Sequence, residues 1–341
     1  MAEISEVPQN LLEVQLIADV KEIREKMGRI EELTEIQYLP GFENKVGYFP
    51  KLEGLEGKPV LARFSYGRDA PNMSSVFFDS SLTKEEGQEQ GAKNTKEFLE
   101  SQGFSGPTIQ VLGKFEGVEA QIEEVDKDTI KEKTKVVGNM VFTRDPEITL
   151  MIKPADCPVF IFTGDDEHGN PFVAIDHCGA DAINVGITRQ SVWYLENILG
   201  ADLSKVKVAI FPGVSRKNFD ISREWITQTG ELKRRDSGIP EMNWREFIDE
   251  SKTSDPMEKR HVDILSAAEM QALQSGIKPE NIQAYRIDTY EDAANGIAYS
   301  RRYSNEHNGE HNGGQIVAVQ LKNKIAEMPI PSQSNDLAKA A

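Results

Sequence analysis

The chain has 341 residues, 38% hydrophobic and 28% charged, enough for one large domain or two ordinary ones around a real core. Its formal net charge of −17 argues against sequence-independent binding to nucleic acid, because no basic stripe offsets phosphate repulsion. Two cysteines cannot make a disulfide framework, the first residues lack the basic-then-apolar pattern of a signal peptide, and no apolar stretch approaches the ~18 residues that span a bilayer. A soluble, cytoplasmic protein with no nucleic-acid or membrane partner is expected.

Residues 8 to 36 carry apolar side chains at helical spacing (Leu12, Leu16, Val20, Ile23, Met27, Ile30), with Glu and Lys between them. This predicts an amphipathic helix ended by Pro40-Gly41. Val60 to Tyr66 reads as a strand, and Lys93 to Gln102 as a helix stopped by Gly103. Thr108 to Leu112, Met140 to Thr143 and Ile148 to Ile152 read as short strands.

Val159 to Phe162 and Phe172 to Ile175 are apolar runs separated by a stretch of Gly, Asp and Asn, which predicts a β-hairpin. Ala182 to Leu199 is helical in pattern, and Val206 to Phe211 a strand. The charged stretch from Gly230 to Arg260 reads as an insertion or loop with one short helix near Trp244 to Ile248. Ile264 to Ser275 is a helix stopped by Gly276, Ile282 to Ile287 a strand, and Ile297 to Tyr303 with Gln315 to Leu321 a second hairpin. The fold class expected is α+β: a layered α/β sandwich with a mixed sheet, plus the N-terminal amphipathic helix. The division expected is a helical extension over 1–40, one domain over 41–325 and a disordered tail over 326–341.

The first hairpin carries the candidate site. Cys157 and His177 are symmetric about position 167, the centre of the turn stretch, so they are expected to face each other across its open end. Opposed cross-strand residues have Cβ atoms about 4.5–5.5 Å apart, which suits either a thiolate–imidazolium pair or two ligands of one soft metal ion. Cys178, its neighbour, is expected on the opposite face in a structural role. Asp156 and Asp176 are expected to bond backbone amides. His168 sits in the far turn, about 20 Å from Cys157 by strand rise, and His307 and His311 read as a hairpin tip.

These residues resemble the laccase-domain family, also called YfiH-like or multicopper polyphenol oxidoreductase-like. Ala155-Asp156-Cys157 resembles its Ala-Asp-Cys motif. His177-Cys178-Gly179-Ala180-Asp181-Ala182 resembles its His-Ala-Gly-Trp-Arg-Gly. Arg68 to Ser74, Asn94, Gln110-Val111-Leu112, Pro212-Gly213-Val214 with Phe219, Asp263, Gly276 and Ser300-Arg301-Arg302 follow in the family's order, so the resemblance spans about residues 60 to 321.

The resemblance implies a zinc site formed by the Gln-Val-His histidine, the cysteine and the His-Ala-Gly histidine. It also implies action on purine nucleosides by phosphorolysis and adenosine deamination, with peptidoglycan editing and polyphenol oxidation as other assignments. By carry-over, Cys157 and His177 are catalytic and metal-ligating, and Arg68, Asn94, Asp181 and Arg301 bind substrate. Two departures stand out. Leu112 replaces the first histidine, and Ala180-Asp181 replace Trp-Arg, putting a carboxylate where a cation beside a helix start would hold phosphate. Asp181 is expected at the cap of that helix. Zinc therefore lacks one ligand, and copper finds no support, since a multicopper site needs more histidines than the five present. The expected function is a divergent member that acts on or binds a small nucleoside-like ligand, with weakened turnover. The alternatives are a metal-independent Cys/His hydrolase and a non-catalytic ligand-binding homologue.

Overall fold

The computed structural model describes residues 20–53, 60–74, 82–113, 120–222, 247–248 and 257–322. From the N-terminus come α1 (Val20–Met27), β1 (Glu31–Leu33), β2 (Val46–Tyr48), α2 (Pro50–Glu53), β3 (Val60–Ser65), α3 (Lys84–Ser101) and β4 (Thr108–Gly113). Then follow β5 (Ile122–Glu124), α4 (Thr129–Glu132), β6 (Lys135–Gly138), β7 (Met140–Thr143), β8 (Thr149–Ile152), β9 (Val159–Asp165) and β10 (Pro171–His177). The remainder comprises α5 (Ala180–Asn184), α6 (Ile187–Asn197), β11 (Lys207–Phe211), β12 (Asp220–Ser222), β13 (Lys259–His261), α7 (Ile264–Gln274) and β14 (Ile282–Tyr285). Last come α8 (Thr289–Ala294), α9 (Arg301–Glu306) and β15 (Val317–Leu321).

Two mixed sheets stack face to face. One runs β1-β14-β11-β9-β10-β7-β5 and the other β2-β3-β15-β8-β4-β6. Their strands are apolar on both faces because both faces are covered. Ile161, Val173 and Ile175 from the first sheet meet Phe64, Val111, Leu150 and Val319 from the second in one continuous core. On the outer side of the first sheet, Phe160, Phe162, Ala174 and Ile210 pack under Ile183, Val192 and Leu195 of α5 and α6 and under Leu265 and Ala268 of α7. On the outer side of the second, Leu61, Met151 and Ala318 pack under Phe98 and Leu99 of α3. The result is the layered α/β sandwich expected, four layers deep.

The amphipathic N-terminal stretch is helical over Val20–Met27 and stops at Gly28. It then supplies the edge strand β1, which pairs in parallel with β14, and Ile23 and Ile30 are part of the core. Residues 20–33 are thus built into the sandwich. The helix does not run on to Pro40, because pairing with β14 offers the backbone amides of Glu31–Leu33 a better partner. Residues 8–19, the short helix expected from Trp244 and the tail 326–341 lie outside the described residues, apart from Phe247 and Ile248.

Two further expectations are corrected. Ala182 to Leu199 is not one helix: Gly186, at φ +79°, breaks it into α5 and α6. The second hairpin does not form. Arg301–Glu306 is helical, with Ser300 as its N-cap accepting the Tyr303 N–H at 3.1 Å, and β15 pairs instead with β3 and β8.

The register of the first hairpin also differs from the symmetric estimate. Pro171 pairs with Asp165 and His177 with Val159, so the ladder centres on His168. Asp166 sets this, its carboxylate accepting the backbone N–H groups of His168 at 2.9 Å and Asn170 at 2.8 Å and closing a loop over 166–170. Cys178 N–H then donates to Pro158 O at 3.0 Å, and the residue facing Cys157 is Gly179.

Candidate functional site

Cys157 lies in the bend between β8 and β9, and His177 is the last residue of β10. They are not direct cross-strand partners, yet both reach one cavity. A Cβ on Gly179 would lie 3.4 Å from His177 Cε1 and 3.6 Å from Cys157 Sγ, so the two side chains flank the same point. The cavity, about 530 Å³, is bounded by the Lys153–Cys157 segment, His177, Phe219 and α9, from Arg301 at its start to Glu306 at its end. Gly113 forms the seat of the imidazole: a Cβ there would fall 1.9 Å from His177 Nδ1. Only glycine lets the end of β4 lie this close to the ring.

Asp156 holds the wall together. Its side chain accepts the Thr289 hydroxyl at 2.8 Å and the Arg302 backbone N–H at 2.8 Å, and the Ser300 hydroxyl also donates to it. Its carbonyl accepts the Val214 N–H at 2.9 Å. The segment bearing Cys157 is therefore tied to the start of α8, to the start of α9 and to the Pro212-Gly213-Val214 loop. Arg302 also lines the cavity, but its guanidinium is committed: it pairs with Asp220 and lies 4.9 Å over the Phe219 ring.

The electrostatics favour neutral groups. Burial, followed by the charges of Asp156 and Asp181, pushes the Cys157 thiol up to about 12. Burial brings His177 down to about 4. At neutral pH the pair is a thiol beside an uncharged imidazole, not a thiolate–imidazolium pair. Under the floor, Asp176 is fully buried; one carboxylate oxygen accepts the Ser191 hydroxyl at 2.8 Å, and the other has no partner among the described residues. Burial raises its carboxyl to about 7. Cys178 is buried in the helical layer, 3.6 Å from the Thr188 hydroxyl, as expected of a structural cysteine.

Of the substrate-binding residues expected, Arg301 lines the cavity. Asp181 is exposed in the first turn of α5 and acts on Cys157 through its charge, but it is not the cap. That position is Gly179, and no side chain caps this helix, because the chain turns from β10 into α5 two residues earlier than expected. Arg68 is exposed in a turn and does not line the cavity. Asn94 is buried in α3, where its side chain donates to Asn72 O at 2.6 Å and accepts from Gln90 at 2.6 Å; this clasps the 71–74 loop. His307 and His311 follow α9, with the His307 ring stacked 4.1 Å from Tyr303. Lys153 was not foreseen as a site residue; its signal was a lysine directly after the apolar strand Thr149–Ile152.

Among the described residues, the donor set does not suit a metal ion. Leu112 is half-buried on β4 beside Val137 of β6 and does not line the cavity. Of the five histidines, His177 alone lines it. Among the described residues no three His, Cys, Asp or Glu side chains are placed to hold a metal ion. Two ligands fall short of the three or four that zinc takes from a protein, and further still from a copper cluster. No described helix is long and apolar enough to cross a membrane.

Residues 71–321 match the family model described as multi-copper polyphenol oxidoreductase laccase. Among solved structures, YlmD from Geobacillus stearothermophilus is similar with a TM-score of 0.62 at 17% identity, over 84% of this chain and 98% of that one. The hypothetical protein YfiH of Bacillus licheniformis is similar with a TM-score of 0.61 at 14% identity, over 82% and 97%. At these identities the likeness shows the fold. No curated protein matches the sequence significantly.

Asp176 gives the site a pH signature. Its carboxyl prefers the protonated form in the folded chain, so its contribution to stability is full below about 4 and is lost as pH rises through about 7. Asp176→Asn removes that loss while keeping an acceptor for Ser191. Urea denaturation at pH 5 and pH 8 should show the variant gaining about 2–4 kcal/mol relative to the native chain between the two. Parallel stabilities at both pH values would contradict the assignment.

Proposed function

The chain belongs to the multi-copper polyphenol oxidoreductase laccase family, and we propose that it binds a purine nucleoside in the cavity over Cys157 and His177 and turns it over weakly. The observation that carries the reading is the cavity itself. It brings together the Ala-Asp-Cys cysteine and the histidine of the helix-opening motif, beside Phe219, while the third position of the zinc set is Leu112. A mostly apolar concave site with a few convergent polar groups suits a small planar ligand.

The residues present do specific work in this reading. His177, uncharged, offers one ring nitrogen as donor and one as acceptor to the ligand. Cys157, a thiol, offers a weak donor and a soft contact. Neither supplies a charged nucleophile, and no imidazolium–thiolate pair forms to favour the Cys/His hydrolase alternative. Asp181, exposed at the first turn of α5, adds negative charge where the family pattern has an arginine.

Phosphate-dependent release of free base from adenosine or inosine should fall at least about a hundredfold below that of relatives with both full motifs, as expected when a metal contributing several kcal/mol is lost. Cys157→Ala should remove what remains. Turnover assays with and without phosphate check this, and robust phosphate-dependent release would restore the ordinary family activity. Metal analysis of protein purified without chelator should find well under one zinc per chain. About one zinc per chain would mean that an unrecognised side chain completes the set.

A further inference from the structure

The cavity wall carries a cation that no described residue neutralises. Lys153 follows β8 directly, is half-buried, and lines the cavity together with Cys157, His177 and Arg301. Its ammonium forms no ion pair and no hydrogen bond among the described residues. The charged group acting on it is Lys135, a second cation, and burial together with that like charge brings the amine down to about 8.

This is out of keeping with the rest of the molecule. The chain holds 56 acidic residues against 39 basic ones, so carboxylates are abundant. Other cations drawn into the fold have partners: Arg63 pairs with Glu53, Arg286 with Glu269, Arg302 with Asp220 and Lys51 with Glu31, while Lys207 donates to Asn281 and Lys322 to Gly103 O and Gln320. The carboxylates in the cavity wall are already committed. Asp156 is spent on Thr289 and the start of α9, and Glu306 accepts the Tyr290 hydroxyl at 2.8 Å and faces Arg302.

The position of Lys153 is equally specific. β4 and β8 pair in parallel with Gln110 opposite Met151, and Lys153 follows directly after the end of β8 at Ile152. The strand that pairs with the one bearing Leu112 thus leads straight into a fixed positive charge. An ammonium held part-way out of water without a partner is costly, and an oxyanion ligand would remove that cost while making a charge-assisted hydrogen bond.

We propose that Lys153 is the cation of this centre: its ammonium holds an oxyanion, a phosphate or a carboxylate, of the ligand seated against Cys157 and His177. The proposal rests on the reading above only for the identity of the rest of that ligand. Arg301, on the facing wall at the first turn of α9, flanks the same space.

Calorimetric titration of inorganic phosphate and of acetate into the full chain, Lys153→Met and Lys153→Arg tests it. The native chain should bind at least one of the two anions saturably, and the tighter of them identifies the oxyanion. Affinity should fall about tenfold or more in Lys153→Met and stay within about threefold in Lys153→Arg, the loss expected for a charge-assisted bond. Lys153→Met removes an unpaired charge at nearly constant volume, so its Tm should equal or exceed the native value; a markedly lower Tm would reveal an internal partner and overturn the proposal. No saturable binding of either anion, or equal affinity in Lys153→Met, overturns it as well. Inosine titrated in parallel separates the two readings. Inosine binding absent with anion binding intact contradicts the nucleoside reading alone, and inosine binding present with anion affinity indifferent to Lys153 contradicts this one alone.

Discussion

The Asp156 carboxylate lies between the two strands and two helices that make the site, and its hydrogen bonds set where everything else goes. It takes the Thr289 hydroxyl and the Arg302 amide, while its own carbonyl takes the Val214 amide. Each bond ties the bend that bears Cys157 to a different element. Without the acceptor at the start of α9, the Arg301 turn has one fewer reason to be helical, and the cavity loses its outer wall. The same carboxylate also bears on the chemistry of its neighbour. Burial first, and this negative charge one residue away second, hold the Cys157 sulfur as a thiol. The side chain that fixes the architecture thus adds to what burial imposes on reactivity.

A thiol, an uncharged imidazole and an ammonium with no partner among the described residues are a recognition set more than a set for nucleophilic attack. In the arrangement we propose, the positive charge at the centre comes from a lysine, where the family pattern would have a metal held by thiolate and imidazole. The two arrangements differ in what they need. A metal requires deprotonated ligands and a third donor, which Leu112 does not provide. A lysine requires only an open acceptor, which a ligand can bring. The backbone supports this centre tightly: Gly113 admits the His177 ring, and the β9–β10 ladder positions the Pro158–Cys178 step beneath it.

Much of this was legible from residue order. The apolar runs gave the strands of both sheets, Gly276 at φ +104° ended α7, and Asp263 capped it by accepting the Ser266 N–H at 2.9 Å. The motif cysteine and histidine converge as their spacing suggested, but not as direct partners. Symmetry about 167 missed that Asp166 organises the turn around His168, a side-chain-to-backbone preference that hydrophobic pattern does not report. Ser300-Arg301-Arg302 looked like a strand because Ile297 to Tyr303 is rich in β-formers. A serine cap and a distant aspartate made it a helix, and only tertiary structure brings that aspartate near. Asn94 and Arg68 sat in family order yet lie away from the cavity. Lys153 escaped notice because its meaning depends on what is absent around it, which a linear sequence cannot display.

At neutral pH Cys157 is a protonated thiol beside an uncharged His177. The direct measurement is the rate of Cys157 alkylation by iodoacetamide across pH 6 to 10.5, followed by mass spectrometry so that buried Cys178 is scored separately. The account predicts slow labelling at neutral pH and a rate still climbing at the top of the range, as for a thiol with a pKa of about 12. A plateau reached below pH 8 would reveal a thiolate at neutral pH and contradict it.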